Sequence, residues 1–162
     1  MTDARIKEIV TALEPPKGKG LWHGGASPLG SLRGVTAEQA AWKPAPNRHS
    51  IWELVLHIAY WKYAVRRRLT GVEKGGFPRA PANWPAVPKK SDSKAWSEDR
   101  ALLRDEHAQL VETLRSLDPA RLDRKPVGGG KWTCADLMMG VVLHDTYHTG
   151  QIQLLKRLYA AR

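Results

Sequence analysis

The chain has 162 residues, a hydrophobic content of 42% and a formal net charge of +10. This length suits one domain with a core of its own, so we expect a single domain over residues 1–162. The single cysteine, Cys134, excludes an internal disulfide and a cysteine-rich zinc finger. No apolar run approaches the roughly 18–20 residues of a membrane span, and the start MTDARIKEIV lacks the apolar core of a signal peptide. These features predict a cytoplasmic protein.

The positive charge raises the question of nucleic-acid binding. The basic residues are dispersed, however, and the longest basic run is Arg66, Arg67 and Arg68. No zinc-finger spacing, RNA-binding aromatic signature or glycine-rich phosphate loop accompanies them. A solvated basic surface is therefore the favoured interpretation, and nucleic-acid binding is unlikely on this sequence.

Helix starts are well marked, whereas strand signals are almost absent. Near the N-terminus the sequence predicts a helix over residues 3–13, a helix from Ser27-Pro28 to about Gly34, and a short turn capped by Thr36. Three long helices follow: one from the capping box at Ser50 to about Leu69, one capped by Ser93 over residues 94–117, and one from the capping box at Thr133 to about Tyr159. With a composite N-terminal helix they predict an all-α four-helix bundle.

A loop rich in proline and glycine is predicted from Val72 to about Asp92, with Phe77, Trp84 and four prolines. Loops of this length in a compact domain are often functional. The loop could equally serve as a cover over one end of the bundle.

Three histidines carry the main chemical signal. His144 and His148 are one helical turn apart, and the series Leu137, Val141, His144, His148, Gln151, Leu155, Leu158 advances by alternate steps of four and three. This spacing predicts that both imidazoles face the core, at a depth comparable to that of His57 on the helix that begins at Ser50 if the two helices are neighbours. Buried polar groups cost free energy unless they are satisfied, and a shared metal ion would satisfy all three. Zinc and nickel suit neutral imidazoles, and three protein ligands leave an open position.

Two further residues are candidates for roles at this site. Glu53 precedes His57 by one turn and is a candidate general base or hydrogen-bond acceptor for an imidazole, although completing the capping box with Ser50 is the favoured role. Gln151 follows His148 by three residues and is a candidate for orienting a ligand or binding a cofactor. A hydrogen-bonded core amide is the alternative for Gln151.

Other residues are weaker candidates. His107 lies between Leu103 and Leu110 and is the best alternative ligand, with a satisfied core histidine preferred. His23 and His49 are candidates for the mouth of the site, with surface or capping roles favoured. Asp145 is expected to face solvent, and Cys134 is expected to be structural, although a helix N-terminus favours its thiolate. Trp61 and Tyr147 are expected to form walls of the pocket.

The blocks HSIWELVLHIAYWKYAVRRRLTG and HDTYHTGQIQLLKRL, together with TAEQAAWKP, resemble the DinB-like (DinB/YfiT) superfamily of metal-binding four-helix bundles. The resemblance covers essentially the whole chain. It implies an up-down-down-up bundle, a divalent metal on His57, His144 and His148, and often a homodimer. Relatives of this kind include thiol-dependent S-transferases and a maleylpyruvate isomerase that use low-molecular-weight thiols such as mycothiol or bacillithiol.

The sequence thus leads to a metal-dependent enzyme as the first hypothesis, of the thiol-dependent S-transferase or hydrolase type. The residues do not choose between a thiol and a water as the activated nucleophile. A non-catalytic metal-containing protein that binds a ligand or acts in a stress response is the second hypothesis.

Overall fold

In the computed structural model, residues 3–71 and 75–162 are described. The first three residues of the predicted Pro/Gly-rich loop, 72–74, lie outside this range. The described residues form helices and no strand. The helices are α1 (Ala4–Leu13), α2 (Pro28–Ser31), α3 (Ala37–Ala41), α4 (Ile51–Thr70), α5 (Ser93–Arg115) and α6 (Cys134–Ala160), with a single 3-10 turn at Pro119–Arg121.

The starts of the two helices that carry the histidines follow from local hydrogen bonds. At α4, the Ser50 hydroxyl accepts from the Glu53 amide while the Glu53 carboxylate accepts from the Ser50 amide. Thr133 and Asp136 form the same reciprocal pair at α6. Each pair satisfies amide groups that have no partner within the helix. Both capping boxes confirm the sequence prediction.

Some predicted boundaries were wrong. The cap of α5 is Asp92 rather than Ser93, because the Asp92 carboxylate accepts from the amides of Lys94 and Ala95 and leaves Ser93 as the first helical residue. The helix then ends at Arg115, two residues earlier than expected. The helix that begins at Pro28 ends at Ser31 instead of continuing to about Gly34.

The four longer helices pack around one another. Helix α4 packs against α5 and α6, and α1 packs against the same two helices. The predicted composite N-terminal helix is not one unit, because α2 packs on α6 whereas α3 packs on α4 and α5. Helices α4 and α6, which carry the three histidines, are therefore direct neighbours. Their contact brings His57 close to His144 and His148.

The core consists of two apolar clusters. One surrounds the first half of α4 and includes Trp52, Val55, Leu103 and Ile152. The other surrounds α1 and the far end of α4 and includes Ile6, Leu69, Leu110 and Met138. On each of α4, α5 and α6, one end therefore belongs to the first cluster and the opposite end to the second.

Buried polar side chains occupy the middle of the same helices, between the two apolar clusters. We call this set the polar layer; its members are His57, Lys62, Glu106, His107, Asp145, His148 and Thr149. Buried polar groups are costly unless partnered. The layer is therefore the part of the core where function, rather than packing, is expected to explain the residue types.

The buried face of α6 is rotated slightly from the predicted face. Met138, Asp145 and Ile152 are buried where Leu137, His144 and Gln151 were expected. Among the buried residues of α6, Met138, Val141, Asp145, His148, Ile152 and Leu155 have the same alternating spacing, and Cys134 and Thr149 are buried beside them. His144 and Gln151 lie at the edge of this face and are half-buried, and Leu158 is 43% exposed. The expectation that Asp145 faces solvent was wrong, because Asp145 is at the centre of the buried face and pairs with Lys62.

None of the helices in residues 3–71 and 75–162 combines the length and apolar character required to cross a lipid bilayer.

Candidate metal centre

His57, His144 and His148 form one cluster. Each offers a ring nitrogen, and these nitrogens lie within 4.8 Å of one another. The Nε2 atoms of His57 and His144 are 3.1 Å apart, and the ring centroids of His144 and His148 are 4.4 Å apart. His57 and His148 are buried at 6% and 7% exposure. The structure thus brings together the three residues that the sequence predicted as ligands.

The other ring nitrogen of two of these histidines is held by the protein. Nδ1 of His57 is 2.6 Å from the backbone oxygen of Asn83, and Nδ1 of His148 is 2.6 Å from Oε1 of Gln151. Because both oxygens can only accept a hydrogen bond, each Nδ1 carries the proton. The lone pair of each ring is therefore on Nε2. This is the usual arrangement of metal-ligating histidines, whose second nitrogen donates to a carbonyl or carboxylate.

Burial keeps the three imidazoles neutral. Desolvation, with a smaller effect of His148, lowers the pKa of His57 to about 4 despite the Asn83 carbonyl, which acts in the opposite direction. Desolvation and the two neighbouring histidines lower the pKa of His144 to about 3. Desolvation also lowers the pKa of His148. Neutral imidazole is the form that binds a metal.

The cluster fits a divalent metal ion. Two bonds of about 2.1 Å at a tetrahedral angle place their nitrogen atoms about 3.4 Å apart, close to the 3.1 Å between the Nε2 atoms of His57 and His144. Nδ1 of His144 is buried without a hydrogen-bond partner among the described residues. His144 is thus the one member of the cluster whose second nitrogen is not fixed by a protein acceptor.

Aromatic rings cover the cluster on one side. The Trp84 ring stacks on His57 with centroids 3.8 Å apart and an interplanar angle of 10°. His49 stacks on the opposite face of the same tryptophan system at 3.7 Å and 3°. Trp61 approaches His57 edge-on at 6.4 Å, and its indole nitrogen donates to Oδ1 of Asn83 at 2.8 Å. Asn83 therefore contacts His57 through its backbone oxygen and Trp61 through its side chain.

The segment 75–92 contacts the cluster through Asn83 and Trp84 and covers it on one side. Arg79 joins it to the body of the protein through an ion pair of 2.8 Å with buried Asp99, which also accepts from the indole of Trp52 at 2.7 Å. Phe77 packs on Tyr60 with ring centroids 5.6 Å apart. The segment is thus fixed on the N-terminal side of the Asn83–Trp84 pair.

Glu53 is engaged at the start of α4. One carboxylate oxygen accepts from the Ser50 amide at 2.8 Å, and the other accepts from Lys43 at 2.8 Å. These contacts favour the capping role over a role at the cluster. Gln151, by contrast, contacts His148 directly and occupies the ligand-orienting position described above.

His107, His23 and Cys134 are not part of the cluster, whereas the Tyr147 ring packs edge-on against His148 with centroids 4.9 Å apart. His107 is buried on α5, desolvation lowers its pKa to about 4, and its Nδ1 has no partner among the described residues. The His23 ring accepts from the Gly25 amide within its own loop. Burial raises the pKa of the Cys134 thiol, so the expected preference for thiolate is not present at this helix start. Tyr147 is 64% exposed.

Sequence reasoning gave no role to three residues that the structure shows to be important: Asn83, Trp84 and Lys62. Asn83 and Trp84 contact His57 from the loop, and the tryptophan within the PANWP segment was the available signal. Lys62 is fully buried and pairs with Asp145. The signal for Lys62 was its position in the series Ile51, Val55, Ile58, Lys62, Val65, Leu69, which has the spacing of a buried helix face.

These features define a helical protein with a three-histidine cluster between two packed helices, compatible with a divalent metal site. A family model of the DinB superfamily matches residues 29–152. This range covers most of the chain and includes all three histidines, and the chain belongs to the DinB superfamily. Comparisons with curated proteins and with solved structures gave no significant match.

Proposed function

We propose that the protein binds one divalent ion, zinc or nickel, through Nε2 of His57, His144 and His148, on an up-down-down-up bundle. The observation that carries the proposal is the convergence of these nitrogens while Nδ1 of His57 and of His148 is held by Asn83 and Gln151. Histidine side chains in a core are otherwise expected to pair with other residues. Here ring nitrogens of the three histidines face one another, with Nε2 of His57 and Nε2 of His144 3.1 Å apart.

We further propose that the site is catalytic and activates a small thiol or a water molecule. Three protein ligands are the number found in catalytic zinc sites, which keep a position for an exchangeable ligand. The ion would supply Lewis-acid chemistry that lowers the pKa of a thiol or water in that position. Because three neutral imidazoles contribute no charge and Asp145 is already paired with Lys62, an anionic fourth ligand is favoured.

The residues of the chain would prepare the site in three ways. Asn83 and Gln151 fix the ring orientation of two ligands. Trp84 and Trp61 exclude water from one side of His57. Burial keeps the imidazoles neutral near pH 7, so the ion does not have to compete with protons for them.

Elemental analysis of the purified protein, and isothermal titration of metal-free protein with Zn²⁺ and Ni²⁺, test the metal proposal. We expect one equivalent in the wild type, loss of tight binding in His144→Ala, and unchanged binding in His23→Ala, whose ring lies in a separate loop. Absence of any bound equivalent, or equal binding by His144→Ala, would contradict the proposal.

A thiol-dependent assay tests the catalytic part. Zn²⁺-loaded protein is incubated with a small thiol and the electrophile 1-chloro-2,4-dinitrobenzene, and the conjugate is measured by absorbance. We expect turnover that His144→Ala removes and His23→Ala keeps. Tight metal binding without turnover of this pair or of an ester substrate would favour a non-catalytic role.

A further inference from the structure

A groove of about 440 Å³ lies between α4 and α6, and most of its wall is apolar. Trp61 and Val65 line it from α4, and Leu137, Gly140 and Leu143 line it from α6. Its outer edge is formed by Trp132 and Met139, which are 51% and 49% exposed. This volume is in the range of small-molecule sites, which are concave and largely apolar with few polar groups.

The groove reaches the histidine cluster. His144 and Trp61 both line it, and their ring centroids are 6.1 Å apart. The indole nitrogen of Trp61 is occupied by Asn83, so Trp61 offers only its ring to a ligand in the groove. A molecule lying there would have its inner end beside His144. This is the histidine of the cluster whose Nδ1 has no hydrogen-bond partner among the described residues.

Gly140 keeps the groove open. It lies in the interior of α6, where glycine is unfavourable for a helix. A Cβ atom added at this position would meet no atom within 4 Å beyond the local helix backbone, so close packing does not require the glycine. Because Gly140 lines the groove, any larger residue would extend into the space that a ligand would occupy.

The charges along the groove indicate what kind of molecule it accepts. Among the described residues that line it, Asp136 at the start of α6 is the one acidic or basic side chain other than the imidazole of His144. No lysine or arginine of the lining offers a partner for an anionic group. An uncharged hydrophobic body is therefore the best match for the wall.

We propose that this groove holds the apolar part of the substrate, an uncharged aromatic or aliphatic group whose reactive polar end meets the metal centre beside His144. This inference rests on the proposed metal-dependent function and names the substrate class of that site. A second copy of the chain is the competing occupant, and its presence is one outcome of the test below.

The first experiment tests the groove without any metal. The neutral fluorophore N-phenyl-1-naphthylamine is titrated into metal-free wild type, Gly140→Leu and Gly150→Leu. Gly150 is the matched control, because it is also a glycine of α6 with no atom within 4 Å of an added Cβ beyond the local helix backbone, and it does not line the groove. We expect at least tenfold weaker binding in Gly140→Leu only. Equal binding by the wild type and Gly140→Leu overturns the proposal.

The second experiment tests the connection to the metal centre. Zn²⁺-loaded proteins are titrated with acetohydroxamate and with 3-phenylpropanohydroxamate by calorimetry. We expect the phenyl compound to bind the wild type at least tenfold more tightly, and Gly140→Leu to lose this advantage while acetohydroxamate binding stays the same. Equal affinities of the two compounds for the wild type overturn the connection between groove and centre.

Two outcomes separate the alternatives. If acetohydroxamate binds no variant, the open metal position of the proposed function fails, and the metal-free fluorophore titration still decides whether the groove binds an apolar molecule. Sedimentation at the same protein concentrations addresses the second copy. A wild-type dimer that Gly140→Leu converts to a monomer would identify the groove as an interface between copies and overturn the substrate proposal.

Discussion

The backbone oxygen of Asn83 lies 2.6 Å from Nδ1 of His57, and this contact fixes which nitrogen of His57 faces the cluster. Asn83 has a φ of 69°, in the left-handed region that asparagine tolerates better than other residues with a side chain. Its side chain accepts from Trp61 at 2.8 Å. Asn83, a single loop residue, thus sets the orientation of both His57 and Trp61.

Asn83→Ala should weaken Zn²⁺ binding by about tenfold, because alanine is strained at this φ and leaves the Trp61 indole without its acceptor. Titration calorimetry on metal-free protein measures the effect. The matched control is Asn47→Ala, which places alanine at a similar φ of 60° in another loop. Equal Zn²⁺ affinities for the two variants would mean that Asn83 has no special influence on His57.

Gln151→Leu should reduce Zn²⁺ affinity by about 10- to 100-fold, the range found when the hydrogen-bond partner of a ligating histidine is removed. The change removes the acceptor 2.6 Å from Nδ1 of His148 while it keeps a helix-forming side chain. Gln153→Leu, two residues further along α6, serves as the control for the added apolar surface. Unchanged affinity in Gln151→Leu would show that the contact does not orient His148.

Lys62→Met should lower the free energy of unfolding by about 3–5 kcal/mol, because it leaves the buried Asp145 carboxylate without its cation. The double variant Lys62→Met/Asp145→Leu should recover most of this loss, since no unpaired charge remains in the core. Urea unfolding of metal-free protein gives both values. Asp123→Asn, in the exposed pair with Arg5, should leave the value nearly unchanged, because solvent screens an exposed ion pair. A similar loss in the single and double variants would contradict the explanation.

Acid should destabilise the metal-free protein through its buried histidines, and His107 isolates this effect from the cluster. Burial lowers the pKa of His107 from 6.5 to about 4. As the pH falls below 6.5, the unfolded chain binds a proton at this position while the folded chain does not. The free energy of unfolding therefore falls until the pH reaches the folded pKa, by about 1.4 kcal/mol per pH unit.

His107→Leu removes the contribution of His107 to the pH dependence of the free energy of unfolding. Between pH 6.5 and 4, its free energy of unfolding should fall by up to about 3 kcal/mol less than that of the wild type. Urea unfolding at a series of pH values in the presence of a chelator measures the difference. Parallel curves for the two proteins would show that His107 does not take part in the acid response.

The features that sequence could predict are those that depend on near neighbours in the chain. The capping boxes of Ser50 with Glu53 and Thr133 with Asp136 each involve residues three positions apart, so their pattern is visible without a fold. The spacing of His144 and His148, and the placement of His57 within a long helix, are local in the same sense. These elements, together with the resemblance to the DinB-like superfamily, led to the predicted three-histidine cluster.

The features that escaped prediction depend on distant contacts. A step pattern of four and three fits two neighbouring faces of α6, and only packing against α4 shows that the face with Asp145 is the buried one. The partner of Asp145 is Lys62, 83 residues away. The contact of Asn83 with His57 requires the folded path of the loop, which no periodicity encodes.

His57 and His144 are separated by 87 residues of chain and lie on two different helices that touch only in the folded protein. An ion held by both, and by His148, would act as a tether between α4 and α6. Ion binding would then add to folding stability by about 2.7 kcal/mol when the free ion is at 100 times its dissociation constant. The lifetime of the folded chain against proteolysis would thus rise and fall with the supply of the ion.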